Sequence, residues 1–516
     1  GDDYLVTTAY DTAREWLEKA AAQNDAAAQY QLGELYDSGK GVAKNSASAC
    51  VWYEKAAAQG YTAAQTALGH HYTSGDGVAL NYGTARQWFE KAAAQDDADA
   101  QYQLGLLYAA GLGMAQNYAT ARAWFEKAAA QNSAAAQNWL GSLHENALGT
   151  TQDHSKAREW YSKAATQGYA EAQSNLAVCY YNGLGGEQDH GKAIEWFEKA
   201  AAQGQTDALR NLGIIYASGD GVTPDYKKAY GYWKQAAAQG DTTAQNNLAA
   251  LYHDGLGVAQ DSAQAWQWWK TAAEQGNDNA QNHLAVCYLN GDGTTQDNKK
   301  ACEWFEKAAL QGHPAAQYGL GVLYSHSGEL DLPPLPATAL HWLMQAAAAG
   351  HGAAQNALGI RYARGTDVIQ DYDKAREWYE KAAAQNHATA QYLLGLLYAQ
   401  GRGIERDDSK AREWWEKAAK QGFPPAQTGM GLLYTYGKNG VPHDDKKALE
   451  WFKKAAAQNE AFAQYNIAIA YGLGKGVPRD FDKQREWLEK SAAQNFAPAE
   501  KMLKELDAIS KAYGNK

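Results

Sequence analysis

The chain has 516 residues, and its 50 glycines, 18 tryptophans and 33 tyrosines stand beside only 10 prolines, 9 phenylalanines and 4 methionines. Several unrelated domains would average out towards ordinary usage, so this bias points to one unit used many times. The net charge of −11 excludes a general nucleic-acid coat, which needs a basic stripe; no run is long and apolar enough for a transmembrane helix, and four cysteines are too few for a disulfide scaffold.

The chain opens Gly1-Asp2-Asp3, with neither a starting methionine nor a signal peptide, and reads as a mature or trimmed product. A first helix is predicted around Trp16, and from it one register runs the length of the chain. Trp16, Trp52, Trp88, Trp124, Trp160 and Trp196 are 36 residues apart; Tyr232 keeps the count, Trp268 and Trp304 follow, then Trp342, Trp378, Trp414, Trp451 and Trp487. Of the thirteen intervals eleven are 36, one is 38 and one is 37. A spacing held over fourteen positions marks a solenoid of supersecondary units.

One repeat can be taken in full from Ala100 to Asn132. Ala100, Leu104, Leu107 and Tyr108 share one face of a helix, helix A. Gly111 and Gly113 break it, being free to adopt positive φ. Asn117 stands seven residues before Trp124, a position that is Asp or Asn in twelve of fourteen repeats, and it predicts the N-cap of a second helix, helix B. Helix B carries Ala121, Trp124 and Ala128 and ends at Gln131-Asn132, where other repeats have Gln-Gly. After the helix A leucine comes Gly nine times and Ala four times, which reads as a close approach of two helices. The Trp, Tyr, Leu and Gly ladders are therefore assigned to the core, and Trp304 is expected to be buried between helices of adjacent repeats. The predicted organisation is a lone helix B over 1–27, thirteen repeats over 28–498, and a capping helix and tail over 499–516, with charges at Glu500, Lys501, Lys504 and Glu505 facing solvent.

The pattern A-Q-x-x-L-G-x-x-Y, then G-x-G-V, then D-x-x-K-A-x-x-W-x-x-K-A-A-x-Q-G resembles the Sel1-like repeat. Ala244-Gln245 through Gly276, with Gly255, Gly257, Val258 and Asp261, is a near-complete copy. Tetratricopeptide repeats are relatives, but their period is about 34 residues and they lack the two-glycine loop. The resemblance covers nearly the whole chain. It implies an all-α, right-handed superhelical solenoid of helix pairs that acts as an adaptor, in a bacterial family many of whose members are exported. A periplasmic or secreted location is thus expected, with the cytoplasm as the alternative.

Departures from the repeat are few. Ser325 to Pro336 replaces the glycine loop and includes Pro333-Pro334-Leu335-Pro336; Leu335 takes the cap position, so the capping bond should be lost, while Pro336 falls at the first helical position, where proline is tolerated. Asp367 replaces a second glycine, and Gly437-Lys438-Asn439-Gly440 carries a one-residue insertion. Signs of chemistry are thin. His70-His71 is the one adjacent histidine pair, and neighbours on a helix point about 100° apart, which disfavours a metal role. No H-E-x-x-H, P-loop or EF-hand series occurs. Some cysteine-rich relatives have been described as β-lactamase-like, but no serine here is followed three residues later by Lys, as S-x-x-K requires. Cys179 and Cys287 read as small apolar fillers, and Cys287 and Cys302, in one hairpin, as unbridged. No catalytic residue, metal ligand or cofactor site is assigned.

What varies between repeats is a second face of helix A, two residues out of phase with the core. One row includes Tyr102, Arg210, Asn246, Asn282 and Tyr318; the adjoining row includes Trp139, Asn175, Asn211, Asn247 and His283; between them runs an apolar row with Leu106, Val178, Ile214, Val286, Leu396 and Leu432. In related solenoids helix A lines the concave side, so these rows would floor a groove. Asn amides satisfy both N–H and C=O of a bound backbone, and Tyr gives contact area at low entropy cost. The expected function is a non-enzymatic scaffold, expected as a monomer, that binds a protein or peptide there and neither nucleic acid nor a membrane interior. The alternative is an immunity protein that neutralises one toxin; a β-lactamase-like hydrolase is a distant third. The repeating lysines of helix B, such as Lys199, are expected on a solvated outer face.

Overall fold

The computed structural model describes residues 2–325, 335–437 and 441–513, with side chains from Thr12 to Ile509. Among the described residues all regular structure is helical: α1 to α28 in chain order, beginning with α1 (Asp2–Ala22) and ending with α28 (Ala497–Tyr513). Between them A and B helices of twelve or thirteen residues alternate, as in α6 (Ala98–Ala110) and α7 (Tyr118–Ala130). The chain divides into two compact units, residues 1–260 and 261–516, and within each an A helix packs on the B helix after it and on the B helix before it.

The local signals act as expected. Asn117 has extended backbone and its side chain accepts from Thr120 N, while its own N–H donates to the Tyr108 carbonyl, closing the glycine loop. The same cap recurs from Asn45 to Asp480. Leu335 makes no side-chain cap, and Pro336 opens its helix in the way proline permits. The remainder of the proline loop, from 326 to 334, and the insertion at 438–440 lie outside the described residues. In the described loops the first glycine is left-handed, with Ala147 in its place in one; the second presses on the previous repeat, and a Cβ on Gly257 would stand 2.4 Å from the Tyr226 carbonyl carbon. In α28, Ala499, Met502, Leu503 and Leu506 pack inward while Lys501, Lys504 and Glu505 face solvent.

The tryptophan ladder is placed differently from the expectation. Trp304 is half-buried, on the edge of the core, with Lys307 Nζ 3.7 Å from its ring centroid; Trp16 is 68% exposed. Trp124 packs against the core cluster of the preceding repeat, which holds Phe89 and Leu107, and Lys127, one turn on, lies over its ring; the same lysine recurs in most repeats, but Thr271 and Gln345 stand there after Trp268 and Trp342. Lys199 is one of these, 3.9 Å over Trp196, so the repeating helix B lysines are cation–π partners rather than merely solvated charges. The core slot belongs to the residue after Trp: Phe89, Phe125, Tyr161, Trp269, Phe305 and most of their counterparts are buried, Leu17 and Trp415 being half-buried. That side chain also explains the helix A glycine. A Cβ on Gly105 would lie 2.4 Å from the Phe125 ring, so the small residue makes room for an aromatic ring rather than for a second helix backbone.

A second ladder escaped the sequence reading. The glutamine at the start of helix A is buried and donates to a helix B carbonyl, as Gln65 does to Ala57 O at 3.3 Å. Its oxygen accepts from the glutamine that ends the next helix B, as Gln65 Oε1 does from Gln95 Nε2 at 2.9 Å. These bonds tie repeat to repeat at the level of buried polar groups. Where Ala349 stands in place of the donor, Gln317 Oε1 is buried without a partner.

Candidate protein-interaction face

The second face of helix A is where the structure places the predicted contact residues, and much of it is already engaged. In the first unit Trp139 lies stacked on Phe125, with ring centroids 5.6 Å apart, and Tyr102 packs on the same ring. Asn175 Nδ2 donates to Asn138 Oδ1 at 3.0 Å, and Asn246 Nδ2 to Asn247 Oδ1 at 3.3 Å. Arg210 is clamped by Asp207 at 2.6 Å and Asp241 at 2.7 Å. Asn211 is half-buried, and Ile214 beside it is exposed. The expected line of free amides is thus a set of side chains that largely satisfy one another, and Arg210 is a tether between A helices. In the second unit His283 stacks on Trp269 at 4.9 Å and Tyr318 on His351 at 4.9 Å, while Asn282 is half-buried.

The geometry is more open further along the second unit. The core residue after Trp is buried in twelve repeats; apart from Leu17 in the first helix, Trp415 is the exception. The residue fourteen positions on from that core residue lies over it: Trp139 over Phe125, His283 over Trp269. Over Trp415 the same position is Gly429, whose Cβ, if it had one, would be 3.7 Å from the indole. A hollow of about 400 Å³ results, walled by Tyr392, Leu396, Trp415, Leu432 and Phe462. Three A helices contribute to it: α22 (Ala388–Gln400), α24 (Pro424–Tyr436) and α26 (Ala461–Leu473). Leu396 and Leu432 belong to the apolar row singled out in the sequence.

The polar rim is fixed. Trp415 Nε1 donates to the Tyr392 carbonyl at 3.1 Å, holding the indole. Thr428 donates its hydroxyl to Glu460 at 3.0 Å, and Glu460 also caps α26 through Ala463 N. Burial, followed by the Glu460 carboxylate, pushes the Tyr392 phenol up. Arg406 and Asp408, paired with each other, also line the hollow. A large apolar wall with one anchored carboxylate suits an apolar side chain carried on a polar backbone. The sequence held a signal for this hollow: a glycine in the interior of helix A, outside the glycine register, one repeat after a Trp-Trp pair.

The cysteines offer no comparable surface. All four are buried free thiols. Burial, followed by nearby acids, pushes Cys50 and Cys302 up to about 11 and Cys179 and Cys287 up to about 12, the direction opposite to an activated nucleophile. Among the described residues no helix is long and apolar enough to cross a membrane.

The sequence profile of the Sel1 repeat matches fourteen successive segments, from residues 1–25 and 26–61 through to 461–496. A protective antigen present in uropathogenic Escherichia coli strains, which displays the same fold, is 32% identical, with 95% of this chain and 97% of that one covered and a TM-score of 0.56. A Sel1 repeat protein from Oxalobacter formigenes is 33% identical over 61% of this chain and 91% of its own, with a TM-score of 0.47. An immunity protein from Pseudomonas aeruginosa is 21% identical over 42% of this chain and 81% of its own, with a TM-score of 0.31. No curated protein matches the chain. Period, capping and the glycine loops agree with the profile match over nearly the whole chain: the chain belongs to the Sel1 repeat family.

Proposed function

We propose that the protein is a non-enzymatic adaptor that binds an extended polypeptide on its helix A faces, with the hollow over Trp415 as the anchor point in residues 261–516. Sel1 repeats typically serve as protein-interaction scaffolds. The observation that carries the specific reading is the uncovered indole: the framework that buries the core residue in twelve other repeats leaves Trp415 facing a cavity lined by the apolar row. Interface energy concentrates where a large side chain enters such a pocket. Tyr392, Leu396, Leu432 and Phe462 would receive an aliphatic or aromatic side chain, and the partner's backbone would run past the Thr428–Glu460 rim.

Selection of peptides from a random display library on the full chain tests this. Enriched peptides should share a large apolar residue. Filling the hollow by Gly429→Trp, which copies the residue at position 139, should weaken them at least tenfold, or about 1.4 kcal/mol. Asn247→Ala, at a side chain occupied by Asn246, should leave the same peptides unaffected. Equal binding by wild type and Gly429→Trp would overturn the anchor.

A further inference from the structure

We propose that Asp37, His71 and Asp76 form a binding site for a first-row divalent cation of the zinc type. The site lies in the first unit, remote in sequence from the hollow over Trp415, and it arises where one repeat departs from the others. His71 occupies the register that holds leucine at Leu35, Leu107, Leu143, Leu251 and Leu397, and it is 7% exposed. An imidazole in a leucine slot is costly unless its nitrogens are used.

One nitrogen is. His71 Nδ1 lies 2.8 Å from the backbone carbonyl of Asp76, which can only accept, so Nδ1 carries the proton. In the neutral ring the lone pair is then on Nε2. That atom makes no hydrogen bond; it faces Asp37 Oδ1 at 3.7 Å, beyond hydrogen-bond reach. The side chain of Asp76 reaches the same place, and one donor atom from each of the three residues lies within 4.8 Å of the others. Ser46 Oγ sits 3.2 Å from Asp37 Oδ1 and 3.1 Å from Asp76 Oδ2, one hydroxyl proton between two carboxylates. The Tyr53 ring packs on the imidazole at 5.6 Å. The Cys50 thiol, 3.7 Å from the Asp76 carbonyl, is turned to that oxygen and is not one of the donors. Three lone-pair donors thus converge, with the imidazole tautomer set by a backbone carbonyl, the outer-sphere contact that commonly orients a metal-bound histidine.

The second unit contains an internal control. Arg361 stands at the register of His71, and its guanidinium is bonded to Asp367 in the following loop and to Ser325, at the register of Asp37. There the chain supplies its own cation and oxygens gather around it. At His71 the oxygens gather around a lone pair, which leaves the place of the cation to be filled from solution. A nitrogen with two carboxylates favours zinc or a neighbouring first-row ion over Mg²⁺ and Ca²⁺, which prefer all-oxygen sets. Three protein ligands leave a fourth position for water or for the Ser46 hydroxyl.

Calorimetric titration of the chelator-treated full chain with Zn²⁺ at neutral pH tests the site. One Zn²⁺ per chain should bind, and His71→Leu, which restores the residue of the other repeats, should weaken that binding at least tenfold. Asp76→Asn, at an exposed loop position, should weaken it as well and keeps the test decisive if the leucine variant fails to fold. Zn²⁺ should also raise the denaturation midpoint of the wild type and not that of His71→Leu. No zinc uptake, or equal uptake by wild type and both variants, would overturn the assignment.

Discussion

Phe125 in the first unit and Trp415 in the second stand at the same register of their repeats. Phe125 is fully buried, with Trp139 stacked on one face and Gly105 against its edge. Trp415 has the same glycine beneath it at Gly395, but Gly429 above it, and its ring borders an open hollow. The frame around the two is alike: an Asp or Asn cap, a glycine loop and a lysine over the neighbouring Trp. Glycine at this position does not open the slot by itself, since Phe305 has Gly319 over it and stays buried; over Trp415 it goes with an open hollow. Side chains that do not repeat thus distinguish one repeat's surface from another's, on a scaffold kept constant by those that do.

The largest effect should come from emptying the sealed slot. Phe125→Ala removes a buried ring from a close-packed site and should cost about 3–5 kcal/mol. Trp415→Ala should cost less than half of that, because its ring already lacks neighbours on one side. Solenoid stability is a sum over repeats and interfaces, so the loss should be local. Hydrogen exchange should quicken strongly in α6, α7 and the helix after them, α8 (Ala134–Glu145), and only mildly in α22, α23 (Asp408–Lys420) and α24. Equal losses at the two sites would mean that Trp415 is as fully packed as Phe125, and the comparison would collapse.

A smaller effect, of opposite sign, follows from the glutamine ladder. Gln317 has a buried oxygen that its counterparts use, because Ala349 replaces the donor. Ala349 is exposed at the end of α19 (Pro336–Ala348), so a longer side chain has room. Ala349→Gln should stabilise this part of the chain by about 1 kcal/mol, the net worth of a hydrogen bond to an otherwise unsatisfied group. Urea denaturation checks it; an unchanged midpoint would show that water already serves Gln317.

The frame was legible in the sequence because it repeats. The 36-residue Trp spacing, the Asp and Asn caps and the left-handed Gly and Asn ends gave the helices, and the structure places them there. Depth was not legible from spacing. Trp304 and Phe305 recur with one period, but neighbours on a helix point about 100° apart, so only one of them can face the core. Trp packs on the previous repeat and in most repeats also receives a lysine. The slot beside it accepts Phe, Tyr, Trp or Leu, which hid it from pattern reading. The amide rows misled for a related reason. Polar side chains on one face were read as free donors, yet Asn175 bonds Asn138 and Arg210 bonds two aspartates. Pairing between repeats depends on distances that a sequence does not contain.

The caps of helix A separate the two units in a way that pH can expose. In the first unit Asp25, Asp97, Ser133 and Asp241 accept the bond from the first turn. In the second, three successive repeats use histidine: Nδ1 of His313, His351 and His387 accepts from Ala316, Ala354 and Ala390 at 3.2–3.3 Å. A protonated Nδ1 cannot accept, and its charge would meet the positive end of the helix. Burial first, and then His313 and His387, hold His351 below the usual histidine range, and burial does the same for His387. Tyr318 stacks on His351 and brings no compensating negative charge. A histidine whose folded value is depressed makes the unfolded chain bind more protons, so stability is full above the ordinary value of 6.5 and is lost as pH falls below it. Hydrogen exchange measured at pH 7.5 and 5.5, corrected for the intrinsic rate, should show protection falling in α20 (Gly352–Arg364) and α22 more than in α6. The double change His351→Asn and His387→Asn keeps a capping oxygen without the titration and should remove that excess. If α20 and α22 lose protection equally with and without the histidines, the acid sensitivity of the second unit lies elsewhere, in carboxylates that both units share.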